Sequence, residues 1–223
     1  QSMFLLNTIV ADQLVKFKDE VDANMQKGLA QDKAMMKVIR QYLADSRDIR
    51  FEGNGYSIQW HQEAERRGLK GIKNAPDAFK EYINPKTLQL FENVGVMTSR
   101  EAEARYEVLN ETFVKKLQIE ARVLGDMITN HVIPTAFTFQ NTLISNAKGI
   151  KELFPAEYED MCRTQLDLIR KISGYVNTLH TLVGEMVEAR KVANKIEDVP
   201  AKAEAYNATV LPYMGKIREI ADK

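Results

Sequence analysis

The stretch TSREAEARYEVLNETFVKKLQIEARVLGDMITNHVIP, residues 98–134, carries no strong helix breaker until its final proline. Thr98 followed by Glu101 forms a capping box, in which each side chain accepts from a free amide at a helix start. Phe113, Leu117, Ala121, Leu124, Ile128 and Val132 then recur three or four apart, and Thr135 and Phe139 extend the stripe past Pro134. The spacing predicts one long helix, kinked near Pro134 because the ring would clash with the carbonyl of Asn130.

Downstream, Gly149 and Pro155 mark a turn. The returning segment presents Ile169, Ile172, Val176, Leu179, Val183 and Met186 in alternating steps of three and four, a coiled-coil seam. Gln165 is a polar break in that seam, and Cys162 lies one step earlier on the same line. The two long helices are expected to form an antiparallel hairpin. After Asp198-Val199-Pro200 a last helix carries Tyr206, Val210, Met214 and Ile217, bent at Pro212.

Upstream, a first helix beginning near Thr8 places Val10, Leu14, Phe17, Val21 and Met25 on one face, and Gly28 ends it. A second, capped by Asp32, presents Met35, Ile39, Tyr42 and Leu43. Two short helices follow, over residues 76–82 and from Asn84-Pro85 to about Gly95. Period-two alternation is nearly absent. The fold class is therefore all-α: a helical domain with a long antiparallel coiled-coil-like hairpin. Its divisions are residues 1–50, 51–97 (a glycine turn and short helices), 98–196 (the hairpin) and 197–223. No internal repeat is visible.

The totals narrow the function classes. The chain of 223 residues is 44% hydrophobic and 28% charged, ordinary values for a folded globular protein. Lysine plus arginine and aspartate plus glutamate each number 31, so no bulk field recruits nucleic acid or anionic lipid. A single cysteine forms no internal disulfide, which points to a reducing, cytoplasmic setting. No apolar run approaches the roughly 20 residues of a membrane span, and the opening QSMFLLNTIV lacks the features of a signal peptide. Both ends read as cuts through a longer chain.

Chemistry is hard to find. RFEGNGYSIQWHQEAERRGL, residues 50–69, holds three glycines, two of them flanking Asn54, and the sole tryptophan. A dinucleotide loop needs a third glycine where Ile58 stands, and a Walker-type loop needs a lysine and a hydroxyl that are missing. The bland reading is a tight turn in which Gly53 or Gly55 takes positive φ, with Ser57 capping a helix that exits at Gly68. His61, His131 and His180 have no partner at ligand spacing, and no Glu-x-x-His pair of the di-iron type occurs. His131 reads as a core histidine. Cys162, on an apolar line, reads as an inert packed thiol. Ser145 and Lys148 match Ser-x-x-Lys by letters alone, without the partner motifs. Glu63 with Arg66 or Arg67 reads as ordinary helix-surface pairing. Gly53, Asn54, Gly55, Tyr56 and Trp60 remain as a candidate docking turn, with Trp60 as its anchor.

Six phrases in order, however, resemble the C-terminal part of type III glutamine synthetases. They are LNTIVADQL (6–14), RFEGNGYS (50–57), EAERRGL (63–69), ARYEV (104–108), KLQIEARVLGDM (116–127) and HVIPTA (131–136). The resemblance covers nearly the whole chain. It implies a bacterial, cytoplasmic ligase that joins ammonia to glutamate with ATP and a divalent metal, magnesium or manganese, and that assembles with itself as stacked hexameric rings. In that family the metal-holding glutamates and phosphate-neutralising arginines lie on sheet strands ahead of the Leu-Asn-Thr-Ile-Val helix. None maps onto this chain, so the resemblance implies no catalytic, cofactor or metal residue here and no activity of the piece alone. It further implies that the helices through Ala44 pack on the absent catalytic sheet, while the hairpin serves subunit packing. The competing expectation is a free-standing helical adaptor that binds a protein partner through its hairpin.

Overall fold

The computed structural model describes residues 2–223, and no strand occurs among them. The chain divides into two units, with the boundary after Tyr106.

In the first unit, α1 (Ser2–Gln26) begins well before Thr8. The Thr8 hydroxyl donates back to the Phe4 carbonyl at 2.9 Å, as a threonine inside a helix does, and caps nothing. Gly28, at φ +91°, ends the reversal that a Cβ would resist. Helix α2 (Gln31–Asp45) follows an Ala30 cap position without a side-chain bond, so Asp32 is not the cap expected. It sits within the first turn, where its charge complements the helix dipole.

The buried face of α2 also differs from expectation. Ala34 and Val38 pack with Val21, Phe17, Leu29 and Tyr42, whereas Met35, Ile39 and Leu43 are exposed. The small Ala34 is fully buried, and the larger methionine beside it is turned to solvent. The Phe17 and Tyr42 rings meet edge-on at 6.0 Å, and the Tyr42 hydroxyl donates to Glu20. This leaves the N-terminal half of the α1 stripe uncovered: Leu6 and Leu14 are 61% and 62% exposed, with Val10 between them.

Helices α3 (Ile58–Arg66), α4 (Ala75–Lys80) and α5 (Pro85–Asn93) are short and individually capped. Asn74 and Asn84 each accept from an amide of the turn they open, with proline in the first turn of both helices. Phe91 on α5 is buried, with the Phe4 and Tyr82 rings at 6.2 and 6.4 Å. Helix α6 (Ser99–Met127) opens on the expected capping box. The Thr98 amide donates to the Glu101 carboxylate at 2.8 Å, and the Glu101 amide donates to the Thr98 hydroxyl at 3.3 Å. These bonds from Thr98 hold the Glu101 carboxyl below its ordinary range.

The second unit, from Glu107 onward, is built on prolines absorbed by π turns. Between α6 and α7 (Ile133–Leu153) lies a π segment, Ile128–Val132, in which the Ile133 amide donates to the Ile128 carbonyl five residues back. The expected clash before Pro134 is accommodated by this wider turn. One extra residue rotates the downstream face by about 100°, so the stripe does not continue in helical register. Ile133 packs on the core, Gln140 is buried, and Thr135 and Phe139 face solvent. The same rotation leaves His131 exposed, not in the core as expected. Gly149 lies inside α7, so only the segment around Pro155 makes the turn.

After a single turn, α8 (Tyr158–Met161), helix α9 (Arg163–Asn194) returns antiparallel to α7. Gly125 faces Val183 and Met186, while Gln140 donates to the Ile169 carbonyl at 2.9 Å and to the Ser173 hydroxyl at 2.7 Å. Cys162, between α8 and α9, is a fully buried free thiol, as expected. Asp198 caps α10 (Val199–Ala205) by accepting from the Ala201 amide. A second π segment, Tyr206–Val210, precedes α11 (Leu211–Ala221) and Pro212 in the same relation as the first. The sequences Val132-Ile-Pro134 and Val210-Leu-Pro212 thus mark two copies of one device.

Leu117, Ala121 and Ile128 meet Leu179, Met186 and Ala193 of α9 and Tyr206, Val210 and Ile217 of the last segment in one core. Burying each large apolar side chain contributes about 1.5–3 kcal/mol. Tyr206 has no exposed surface, and its hydroxyl donates to Asn194 at 2.7 Å. Burial pushes the ionisation of that hydroxyl upward.

The π rotation separates two substitutions that an unbroken helix would make equivalent. Ile128→Ala is expected to cost about 2–5 kcal/mol of unfolding free energy in urea. Phe139→Ala, at a side chain 53% exposed, should cost under about 1 kcal/mol. Equal losses would place Phe139 in the core.

Candidate docking site

The glycine stretch folds as a knot held by its own side chains. A 3₁₀ turn, Arg47–Ile49, leads from α2 into Phe51. Gly53 has φ +147°, and a Cβ there would lie 2.9 Å from the Phe51 ring, so this position needs glycine. Gly55 has no positive φ and open space around it; of the two glycines, Gly53 alone carries the turn's strain. The Asn54 side chain accepts from the Tyr56 amide at 3.0 Å, and its carbonyl accepts from the Ser57 amide at 3.0 Å. Ser57 caps α3 as expected, its hydroxyl accepting from the Trp60 amide at 3.2 Å. Gly68, at φ +73°, closes the helix.

Trp60 is half-buried and has partners within the unit. Its ring stacks on Phe51, with centroids 4.2 Å apart and planes 24° apart. The Arg67 guanidinium lies 5.5 Å from the ring centre. The same guanidinium donates to the carbonyls of Asp48 and Arg50 at 3.2 and 3.0 Å, and to Glu63 at 2.7 Å. Glu63 also takes two bonds from Arg66, both at 2.6 Å. Hydrogen bonds from Arg66, then Arg67, hold the Glu63 carboxyl down at about 2. Arg67 therefore ties the segment before the glycines to the helix after them, a role that i,i+4 spacing does not reveal.

Among the five residues expected at a docking turn, Gly53 and Asn54 shape the backbone and Trp60 anchors it from within. Tyr56 is 94% exposed. Ile58, which the sequence reading overlooked, is 76% exposed beside it. The turn thus presents one aromatic and one aliphatic side chain on a rigid base.

No group of three or more histidine, cysteine, aspartate or glutamate side chains is placed to hold a metal among the described residues. His61, His131 and His180 are all exposed, on α3, the first π segment and α9. No helix among them is long and apolar enough to cross a membrane.

The described residues thus form an all-helical region that carries a braced aromatic turn. The glutamine synthetase C-terminal domain family matches residues 34–151, and the chain belongs to that family. It is 40% identical over 222 residues to a glutamine synthetase of Bacteroides fragilis (strain YCH46), an alignment covering 99% of this chain and 30% of that protein. A glutamine synthetase of Butyrivibrio fibrisolvens is 27% identical over 187 residues, covering 84% of this chain and 26% of the relative. A type-3 glutamine synthetase of Dictyostelium discoideum is 26% identical over 219 residues, covering 98% and 30%. The resemblance to a C-terminal region of glutamine synthetase is borne out. The chain spans less than a third of the length of these relatives.

The knot should respond to acid in a defined direction. Glu63 is depressed from an ordinary 4.5 to about 2, so its ion pairs stabilise the fold above pH 4.5 and are lost as pH falls toward 2. Thermal unfolding should therefore show Glu63→Gln less stable than the parent at pH 7, with the gap closing toward pH 2. A gap independent of pH would contradict the pairing. Arg67→Lys, which loses the forked donors, is expected to destabilise by about 1–3 kcal/mol.

Proposed function

We propose that this chain is the non-catalytic helical region of a glutamine synthetase, an enzyme that ligates ammonia to glutamate with ATP, and that it serves assembly and subunit packing. The observation that carries this reading is the family match combined with an uncovered apolar face. The exposed half of α1, with Leu6, Val10 and Leu14, has the width and spacing of a helix that packs on another layer. In the proposal, that layer is the catalytic part present in the longer relatives, and the subunits form a homo-oligomer in the cytoplasm.

ATP and magnesium or manganese would be held by that other part. Among the described residues the histidines are scattered and no group of three donors is placed to chelate a divalent metal. No step of the ligation is therefore assigned to these residues.

The outward pair Tyr56 and Ile58 is the proposed contact of the glycine turn with a neighbouring surface. Exposed aromatic side chains on a rigid support are typical anchors of such contacts. Trp60 is a poor probe, because its ring supports the unit internally. In the whole enzyme, Tyr56→Ala combined with Ile58→Ser should shift the assembly toward smaller species by light scattering, with helical content unchanged. An assembly of unaltered size and activity would refute the contact.

A further inference from the structure

Helix α6 carries an outward apolar ridge that the fold leaves uncovered. Ile119, Val123 and Met127 follow one another at four-residue steps, and each is at least half exposed. They belong to the phrase KLQIEARVLGDM, residues 116–127, whose inward positions Leu117, Ala121 and Leu124 are accounted for by the core. Charges bracket the ridge in a definite order. Lys116 lies one turn before Ile119 and Asp126 one turn beyond Val123, both of them exposed. Lys116 has no ion pair among the described residues, whereas its neighbour Lys115 is paired with Glu111 at 3.0 Å. Asp126 accepts from the neutral Asn130 amide at 2.6 Å, a bond that leaves its charge unbalanced.

The order cation, apolar, apolar, anion is complementary to its own reverse. A second copy laid antiparallel along α6, with a two-fold axis midway between Ile119 and Val123, sets Ile119 against Val123 and Lys116 against Asp126, each twice. At the margins the same axis sets Glu120 against Arg122. Moving the axis two residues toward the C-terminus would oppose Glu120 to Asp126, and two residues the other way would oppose Lys116 to Arg122. Like charges would then meet, so the charges around the ridge select one register.

We infer that this face of α6 is a two-fold contact with a second copy of the chain, with Ile119 and Val123 at its centre and a Lys116–Asp126 pair at each end. The apolar ridge supplies the burial, and the charges supply the register. The inference rests on the proposed subunit-packing role, yet it uses neither the Leu6–Leu14 face of α1 nor the Tyr56–Ile58 turn.

Charge reversal in the 223-residue chain tests it, read by sedimentation velocity and by carbodiimide coupling, which joins an amine to a carboxylate without a spacer. In the parent, coupling should join Lys116 to Asp126. Ten residues of one helix span about 15 Å, so that bridge forms only between copies. Lys116→Asp and Asp126→Lys should each weaken pairing roughly tenfold, because both ends of the contact then oppose like charges. Mixed in equal amounts, the two variants should pair as tightly as the parent, since each copy supplies the charge that the other lacks. Association through a different face would not follow this pattern of loss and recovery. The inference is overturned if single variants pair as well as the parent, or if mixing them restores nothing. It is equally overturned if the parent yields no Lys116–Asp126 bridge, which would leave the ridge to a different partner. Light scattering of the whole enzyme with Tyr56→Ala and Ile58→Ser is a separate readout, so loss of the α6 contact is distinguishable from loss of the packing role.

Discussion

A proline inside a long helix removes one backbone donor and drives its ring against the carbonyl four residues back. The second unit contains this conflict twice, at Pro134 and Pro212, and resolves it twice by widening the preceding turn. The core depends on that solution. Ile128 closes the α6 side of the seam before the first wide turn, and Tyr206 and Val210 belong to the second. Because each wide turn adds a residue, the face that meets α9 before the proline differs in phase from the face after it. Gln140 reaches its acceptors on Ile169 and Ser173 only in the shifted phase. The polar contact therefore fixes the antiparallel pairing at a point where an apolar side chain could slide.

The first unit uses a different economy. Its apolar contacts include two separate groups: the α1–α2 pair around Val21, Ala34 and Val38, and the aromatic cluster around Phe91. The glycine turn is held by a planar stack and by Arg67, whose donors reach two backbone carbonyls. Such a turn is stiff without being deeply buried, which suits a segment that offers Tyr56 and Ile58 outward. The uncovered stripe of α1 runs in line with Phe17 and Val21, which pack against α2.

Much of this was legible in the sequence, because the signals were local. Gly28, Gly68 and Gly95 stop helices, Ser57 caps one, and Thr98 with Glu101 forms the reciprocal box, each a matter of neighbouring residues. The hairpin seam from Ile169 to Met186 also reads correctly, since α9 is unbroken. What failed was phase and distance. The sequence announces a breaker at Pro134 without saying how the chain absorbs it, so a reading from the sequence puts Thr135, Phe139 and His131 on the wrong side. On α2, hydrophobicity favours Met35 and Ile39, whereas the buried line runs through Ala34 and Val38. Arg67 looks like half of a surface ion pair because its other acceptors lie 17 and 19 residues away. Six ordered phrases carry the family that periodicity alone does not.

In the proposed assembly role, these helices brace a larger enzyme through the Leu6–Leu14 face of α1 and the Tyr56–Ile58 turn. Hydrogen exchange read by mass spectrometry, on the 223-residue chain and on the whole enzyme side by side, tests it most directly. Peptides spanning residues 3–15 and 54–58 should exchange markedly more slowly in the whole enzyme, while the core of α9 stays equally protected in both. Identical exchange of the α1 and glycine-turn peptides in the two samples would contradict the claim.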